Sequence, residues 1–283
     1  MASAQAAAIA RFRELHGSGC FVLPNPWDAG TARYLAELGF GALATTSAGA
    51  AFARGLPDDV TAICCETMLA HLREIVAAAP LPVNADFQSG YAEDAGGVGA
   101  NVDRCLATGV AGLSIEDASG DGAVPLFPLP QAIERVRAAR EAIDASGSPA
   151  VLTARCEAFL VGAADPLKVS LERLAAFAAA GADCLYAPGV LEPAAIAAIV
   201  KEVAPRPVNV LVSAPHPALS LSKLADLGVR RISVGSALAR VAWGAFMRAA
   251  GGLAAGSFEG LADAASFEEL NRLFGSTRTP RRA

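Results

Sequence analysis

Four times in this chain a helix-like run closes on a glycine and the residues beyond it turn apolar: Leu38-Gly39-Phe40, Thr108-Gly109-Val110, Ala180-Gly181-Ala182 and Leu227-Gly228-Val229. Glycine accepts the left-handed conformation in which helices commonly end. Around these stops the sequence alternates between two periods. Short runs rich in Val, Leu, Ile, Ala and Cys predict strands at 20–24, 41–46, 82–86, 111–116, 150–155, 183–187, 208–212 and 231–235. Helical patterns fall between them at 29–38, 60–78, 97–108, 130–145, 166–180, 192–203, 220–227 and 237–250. Eight strand–helix units with short connections predict an α/β fold, a closed (β/α)8 TIM barrel rather than an open sheet. No linker or shift of composition divides the chain, so residues 1–283 read as a single domain. Its barrel runs over 18–250, and a C-terminal helical extension over 251–283 holds further helices at 261–275.

Hydrophobic residues make up 53% of the chain and the mean hydropathy is +0.40, enough for a large core. No charge-free apolar run reaches the roughly 18 residues of a membrane span, and the start Met1-Ala2-Ser3-Ala4-Gln5 lacks the basic region of a secretory signal. A cytoplasmic protein with no membrane partner is expected. The net charge of −5, with Arg278 to Arg282 as the only basic run, argues against nucleic acid. Six cysteines without a CxxC pair predict reduced thiols and no zinc.

In such a barrel, function gathers at the carboxyl ends of the strands. There the sequence places Asn25, Asp28, Thr45, Thr46, Ser47, Asp86, Gln88, Glu116, Asp117, Arg155, Glu157, Tyr186, Asn209, Ser213, Gly235 and Ser236. Acids arriving from the neighbouring ends Asp86 and Glu116-Asp117 could share a divalent cation such as Mg2+, which takes oxygen ligands and keeps waters. Alternatively Asp86 and Asp117 cap the next helices. Arg155 would offer a bidentate fork to a substrate carboxylate, or else form an internal salt bridge to Glu116 or Glu157. Asp28 is expected to cap the first helix of the barrel. The run from Ser47 to Asp59, rich in small residues, reads as a lid loop, in which Asp58 is either a lid acid or the cap of a helix beginning near Val60. Val234-Gly235-Ser236-Ala237 could turn backbone amides onto a phosphate.

Four of these stretches resemble, in order and spacing, the isocitrate lyase / phosphoenolpyruvate mutase (phosphonomutase) superfamily: Val83-Asn84-Ala85-Asp86-Phe87-Gln88-Ser89-Gly90-Tyr91, Ser114-Ile115-Glu116-Asp117, Thr153-Ala154-Arg155-Cys156-Glu157-Ala158-Phe159 and Gly55-Leu56-Pro57-Asp58. The likeness spans residues 12 to 250. It implies a barrel with Mg2+, or Mn2+, at the strand ends, a gating loop, and a metal-bound enolate of a 2-oxo acid. It also implies a homodimer or homotetramer whose helix after strand eight, around Arg240 to Gly251, packs on a neighbouring subunit. By resemblance, Asp86 is the principal metal-side aspartate, Glu116 holds the metal through water, and Asp58 is the gating-loop acid. Arg155 binds substrate and enolate oxygen, while Thr45, Thr46, Ser47 and Asn209 grip the small carboxylate substrate.

Two departures stand beside the likeness. Gln88 occupies a metal-side position where an acid is usual. The loop Ala118 to Pro125 carries neither the Lys-Lys/Arg-Cys-Gly-His run of the lyases nor the lysine of the mutases' Glu-Asp-Lys start. The expected function is a Mg2+-dependent lyase acting on a small 2-oxo or 2-hydroxy dicarboxylate by C–C cleavage or decarboxylation. The alternatives are mutase or hydrolase action on the C–P bond of phosphonopyruvate, and a non-catalytic barrel that binds a 2-oxo acid. Should a proton donor be needed, Tyr186 and His216 are the first places to look.

Overall fold

The computed structural model describes residues 2–275. In chain order the elements are α1 (Ala2–Gly17), β1 (Phe21–Leu23), α2 (Ala29–Glu37), β2 (Leu43–Ala44), α3 (Ser47–Phe52), α4 (Cys65–Ala78), β3 (Val83–Asp86), α5 (Ala95–Leu106), β4 (Gly112–Glu116), α6 (Leu129–Ala145), β5 (Val151–Arg155), α7 (Pro166–Ala179), β6 (Cys184–Tyr186), α8 (Pro193–Val203), β7 (Val208–Leu211), α9 (Leu221–Asp226), β8 (Arg231–Ser233) and α10 (Ala237–Ala254). A 3-10 turn, Glu259–Leu261, and α11 (Phe267–Gly275) follow. The expected Arg278 to Arg282 tail lies outside the described residues.

All eight strands are parallel, in the order β1-β8-β7-β6-β5-β4-β3-β2. The barrel is nearly closed. Its seam, between β1 and β2, carries a backbone hydrogen bond from Ala44 N–H to the Pro24 carbonyl at 3.0 Å. Asn25 spans the same seam with its side chain: Nδ2 donates to the Thr45 carbonyl at 2.9 Å, and Oδ1 accepts from the N–H groups of Val234 and Gly235 at 3.0 and 2.9 Å. The fold is thus the (β/α)8 TIM barrel that the alternation predicts.

The glycine stops do their expected work, with φ of +83, +96, +106 and +85° at Gly39, Gly109, Gly181 and Gly228. Asp28 caps α2 as expected, its carboxylate accepting from Thr31 N–H at 2.7 Å while the Thr31 hydroxyl accepts from Asp28 N–H. Asp86 and Asp117 do not cap helices. α5 is capped by Asp94 and α6 begins after Pro128, eight and eleven residues further on, so both strand-end acids are free for other uses.

The segment expected as a lid loop is partly helical. Thr46 accepts from Gly49 N–H at 3.2 Å and starts α3, and only the residues after Phe52 form a loop. The following helix starts at Cys65 rather than near Val60, because Asp59 folds its carboxylate onto the N–H and hydroxyl of Thr61 in a local turn. Asp58 therefore caps nothing.

Below the barrel, Phe12 of α1 is fully buried against Gly112 of β4, where a Cβ would meet the Val151 carbonyl at 2.7 Å and the Phe12 ring at 2.9 Å. The amino end of the barrel is stoppered by this helix. Among the described residues no helix is long and apolar enough to cross a membrane.

Candidate active site

The two oxygens of Asp86, at the end of β3, have separate surroundings. Oδ2 accepts from both the N–H and the hydroxyl of Ser47, each at 2.8 Å, and Asp86 N–H donates to the Thr45 hydroxyl at 2.9 Å. Oδ1 is buried with no hydrogen-bond partner and lies 3.5 Å from Arg155 Nη1. The same Nη1 is 3.3 Å from Glu116 Oε2, and Arg155 Nε contacts Glu157 Oε1. The internal salt bridge expected of Arg155 is present, and its fork stands at the mouth ringed by three carboxylates. Its guanidinium also lies over the Tyr186 ring, 5.3 Å from the centroid.

Burial raises the carboxyl of Glu116 to about 8, with Arg155 opposing and the charges of Glu157, Asp86 and Asp117 adding. Burial likewise raises Glu157, again against Arg155. Asp58, on the exposed loop after α3, has its carboxyl raised by partial withdrawal from water and then by Asp86, and lowered by Arg155. The loop thus brings this acid within electrostatic reach of Asp86 and Arg155.

Other expected residues have different neighbours. Asp117 cannot share a cation with Asp86: Oδ1 accepts from Glu157 N–H at 2.8 Å and Oδ2 from Arg173 Nη1 of α7 at 3.0 Å. Thr46 is spent on capping α3, and the donors of Ser47 rest on Asp86. Asn209 accepts from Arg231 Nε and donates to the Ser233 hydroxyl, both at 2.9 Å. Gln88 is buried with a left-handed φ of +46°, and its carbonyl accepts from Glu116 N–H at 2.9 Å. In the Val234 to Ala237 turn, the amides of Val234 and Gly235 donate to Asn25 and that of Ala237 to the Val234 carbonyl. His216 accepts from Ala218 N–H within its own turn, and burial pushes the Tyr186 hydroxyl up to about 12.

The sequence places Glu157 beside Arg155 at the fifth strand end and as its possible salt-bridge partner, but gives no role to Arg173 or Arg231. The spacing Arg155-Cys156-Glu157 was the available signal for the first: a residue two beyond a strand-end arginine can return to its Nε. Nothing in the sequence marks the other two.

A cavity of about 50 Å3 opens at this mouth, lined by Thr45, Asp86, Arg155, Tyr186, Asn209 and Arg231 among others. Among the described residues no three His, Cys, Asp or Glu side chains converge as a metal cage. Asp86 and Glu116 nevertheless suit Mg2+, which ordinarily takes one or two carboxylates and completes its shell with water and substrate. Oδ1 of Asp86, buried without a hydrogen bond and met only by Arg155, is the observation that fits.

A parallel eight-stranded barrel with acids and an arginine at its carboxyl rim defines the class: a TIM-barrel protein with a charged, oxygen-rich mouth. The chain matches the phosphoenolpyruvate phosphomutase family over residues 12–254 and belongs to that family. Its superfamily comprises lyases and mutases. An uncharacterised protein of Mycobacterium tuberculosis is 33% identical over 229 residues, 80% of this chain and 81% of that one. Oxaloacetate decarboxylase of a Bradyrhizobium species is 33% identical over 227 residues, 78% and 74% of the two chains. Among solved structures, a lyase/mutase candidate from Burkholderia cenocepacia aligns with TM-score 0.92 and 46% identity, covering 96% of this chain and 98% of that one. Oxaloacetate acetylhydrolase bound to its product oxalate aligns with TM-score 0.85 and 25% identity over 95% and 94%.

Proposed function

We propose that this protein is a Mg2+-dependent lyase acting on a small 2-oxo dicarboxylate, with decarboxylation of oxaloacetate the reaction its mouth suits best. The observation that carries the reading is the Arg155 cluster: a fixed guanidinium beside the Asp86 oxygen that accepts no hydrogen bond, with no residue of the neighbouring loop able to deliver a proton. Asp86 and Glu116 would hold Mg2+, which when bound would supply positive charge to offset that developing on the substrate. Arg155, kept in place by Glu157 and Glu116, donates to the C2 oxygen as negative charge grows there, an electrostatic contribution that requires no nucleophile. Ser47 and Thr45 hold Asp86, and Asp58 approaches from the loop.

The loop after β4 limits the chemistry. Ser119 donates to the Val124 carbonyl, Asp121 accepts from Ala123 N–H at 2.8 Å, and Ala118 pairs with Leu126, so the loop is tied to itself and presents no acid. A positioned acid ordinarily contributes about 100- to 10,000-fold. The enolate left by loss of CO2 can take its proton from water, whereas cleavage of isocitrate or 2-methylisocitrate needs a delivered one.

The test is turnover of oxaloacetate, phosphonopyruvate, isocitrate and 2-methylisocitrate, each with and without Mg2+ and each against a metal-only blank. Metal-dependent release of CO2 and pyruvate from oxaloacetate, with the isocitrates turned over poorly, is expected. Preferential turnover of phosphonopyruvate would establish C–P chemistry instead, and binding of 2-oxo acids with no turnover would establish a non-catalytic barrel.

A further inference from the structure

Two arginines line the mouth cavity, and their surroundings are opposite. Arg155 faces Asp86, Glu116 and Glu157. Arg231, at the start of β8 and 2% exposed, crosses the barrel interior to neutral partners. Its Nε donates to Asn209 Oδ1 at 2.9 Å, its Nη2 to the Thr153 hydroxyl at 3.0 Å, and its Nη1 meets His16 Nε2 at 3.2 Å. His16 is itself fixed, because Nδ1 donates to the Phe12 carbonyl at 2.7 Å and leaves Nε2 as the acceptor that faces the guanidinium. Among the described residues no carboxylate lies within ion-pair distance of Arg231.

A guanidinium has five N–H groups, and these contacts use three. A buried cation that meets only neutral acceptors is costly unless an anion completes it. The cavity beside it has space for a group of a few atoms.

We propose that Arg231 is the carboxylate receptor of this site: a small 2-oxo acid seats its carboxylate on the free N–H groups of Arg231 at the cavity floor, leaving its carbonyl oxygen to Arg155. The naming of a 2-oxo acid rests on the function proposed above, whereas the anion-binding role rests on the unpaired guanidinium. The arrangement divides the labour of two cations. Arg155, already ringed by acids, has little net attraction for a resting anion and serves the oxygen on which charge develops. Arg231 supplies the attraction that fills the site, and by holding Asn209 Oδ1 it also sets the amide of that residue.

The experiment is calorimetric titration of pyruvate into the metal-free full-length protein and its Arg231→Gln variant, which keeps hydrogen-bonding capacity and loses the charge. Removing a charge-assisted pair of this kind is expected to weaken binding about 10- to 100-fold. In oxaloacetate turnover the loss should fall on KM more than on kcat, whereas Arg155→Lys should lose chiefly kcat. Unchanged pyruvate affinity in folded Arg231→Gln, or no pyruvate binding by the wild-type protein, overturns the proposal.

If Arg231→Gln fails to fold, the crystal structure of the wild-type protein with pyruvate decides. A carboxylate oxygen within hydrogen-bond distance of Arg231 supports the assignment, and a carboxylate resting on Arg155 or Ser47 alone overturns it. Oxaloacetate turnover with KM unaffected in Arg231→Gln removes Arg231 and keeps the lyase. Arg231-dependent pyruvate binding in a protein that turns over none of the substrates does the reverse.

Discussion

Asp86 is anchored by hydrogen bonds through one oxygen and meets only the Arg155 guanidinium through the other, and the consequence is testable with one atom changed. In Asp86→Asn the amide oxygen can still receive the Ser47 donors, but the amide nitrogen must face Arg155 Nη1, donor against donor, and the negative charge is gone. We expect metal-dependent turnover to fall by at least about 100-fold with little change in melting temperature. Full activity in that variant would remove Asp86 from the machinery. A second side chain ties stability to acidity. His71 of α4 is buried, its Nε2 has no partner, and burial first and Arg54 second lower it to about 4. Unfolded, a histidine takes its proton near pH 6.5. Between those values the unfolded chain binds a proton that the fold refuses, so stability present above about pH 6.5 is lost as the pH falls toward 4. Urea unfolding at pH 7 and pH 5 should show wild type losing about 2 kcal/mol more than His71→Leu; equal losses would place the histidine in a wetter site. At this scale the sequence shows Asp86, Glu116 and Arg155 because each ends an apolar run. Arg231 it hides, since Arg230-Arg231-Ile232 looks like the charged entrance to a strand and only the closed barrel turns the second arginine inward.

The eight strands and the helices between them are legible because both periods are clean and the glycine stops require left-handed backbone. The segment from Ser47 to Asp59 is not: its alanines and glycines suit loop and helix alike, and the choice for helix is made by one hydroxyl, Thr46, capping Gly49. The seam is likewise invisible in sequence, since Asn25 reads as one more polar residue at a strand end while its amide joins β1 to both β2 and β8. Asn25→Ala would leave two N–H donors and a carbonyl without these partners, and we expect a loss of about 1–3 kcal/mol in urea unfolding. A variant as stable as wild type would mean that water takes over all three groups.

At the scale of the whole molecule, α10 ends the barrel with an apolar face that the described residues do not cover. Val241, Phe246 and Met247 are exposed, and Trp243 packs edge-on against Phe246 with ring centroids 5.5 Å apart. This face is where the resemblance puts a neighbouring subunit, and we propose that it forms the contact of a homo-oligomer. Phe246→Arg should lower the mass found by light scattering at fixed protein concentration; a mass already that of one chain in the wild type would refute the contact.

The helical stopper beneath the barrel also bears on how the site answers to its medium. With Phe12 and His16 packed below it, Arg231 is itself almost wholly withdrawn from solvent, and the ionic atmosphere that weakens surface charges is held at a distance. Raising ionic strength from about 0.01 to 0.15 M shortens the Debye length from about 30 to 8 Å and erodes exposed pairs, but screens buried ones far less. Pyruvate affinity should therefore stay nearly level over that range. A steep decline would mean that the floor of the barrel is open to the bulk electrolyte and that the stopper does not insulate it.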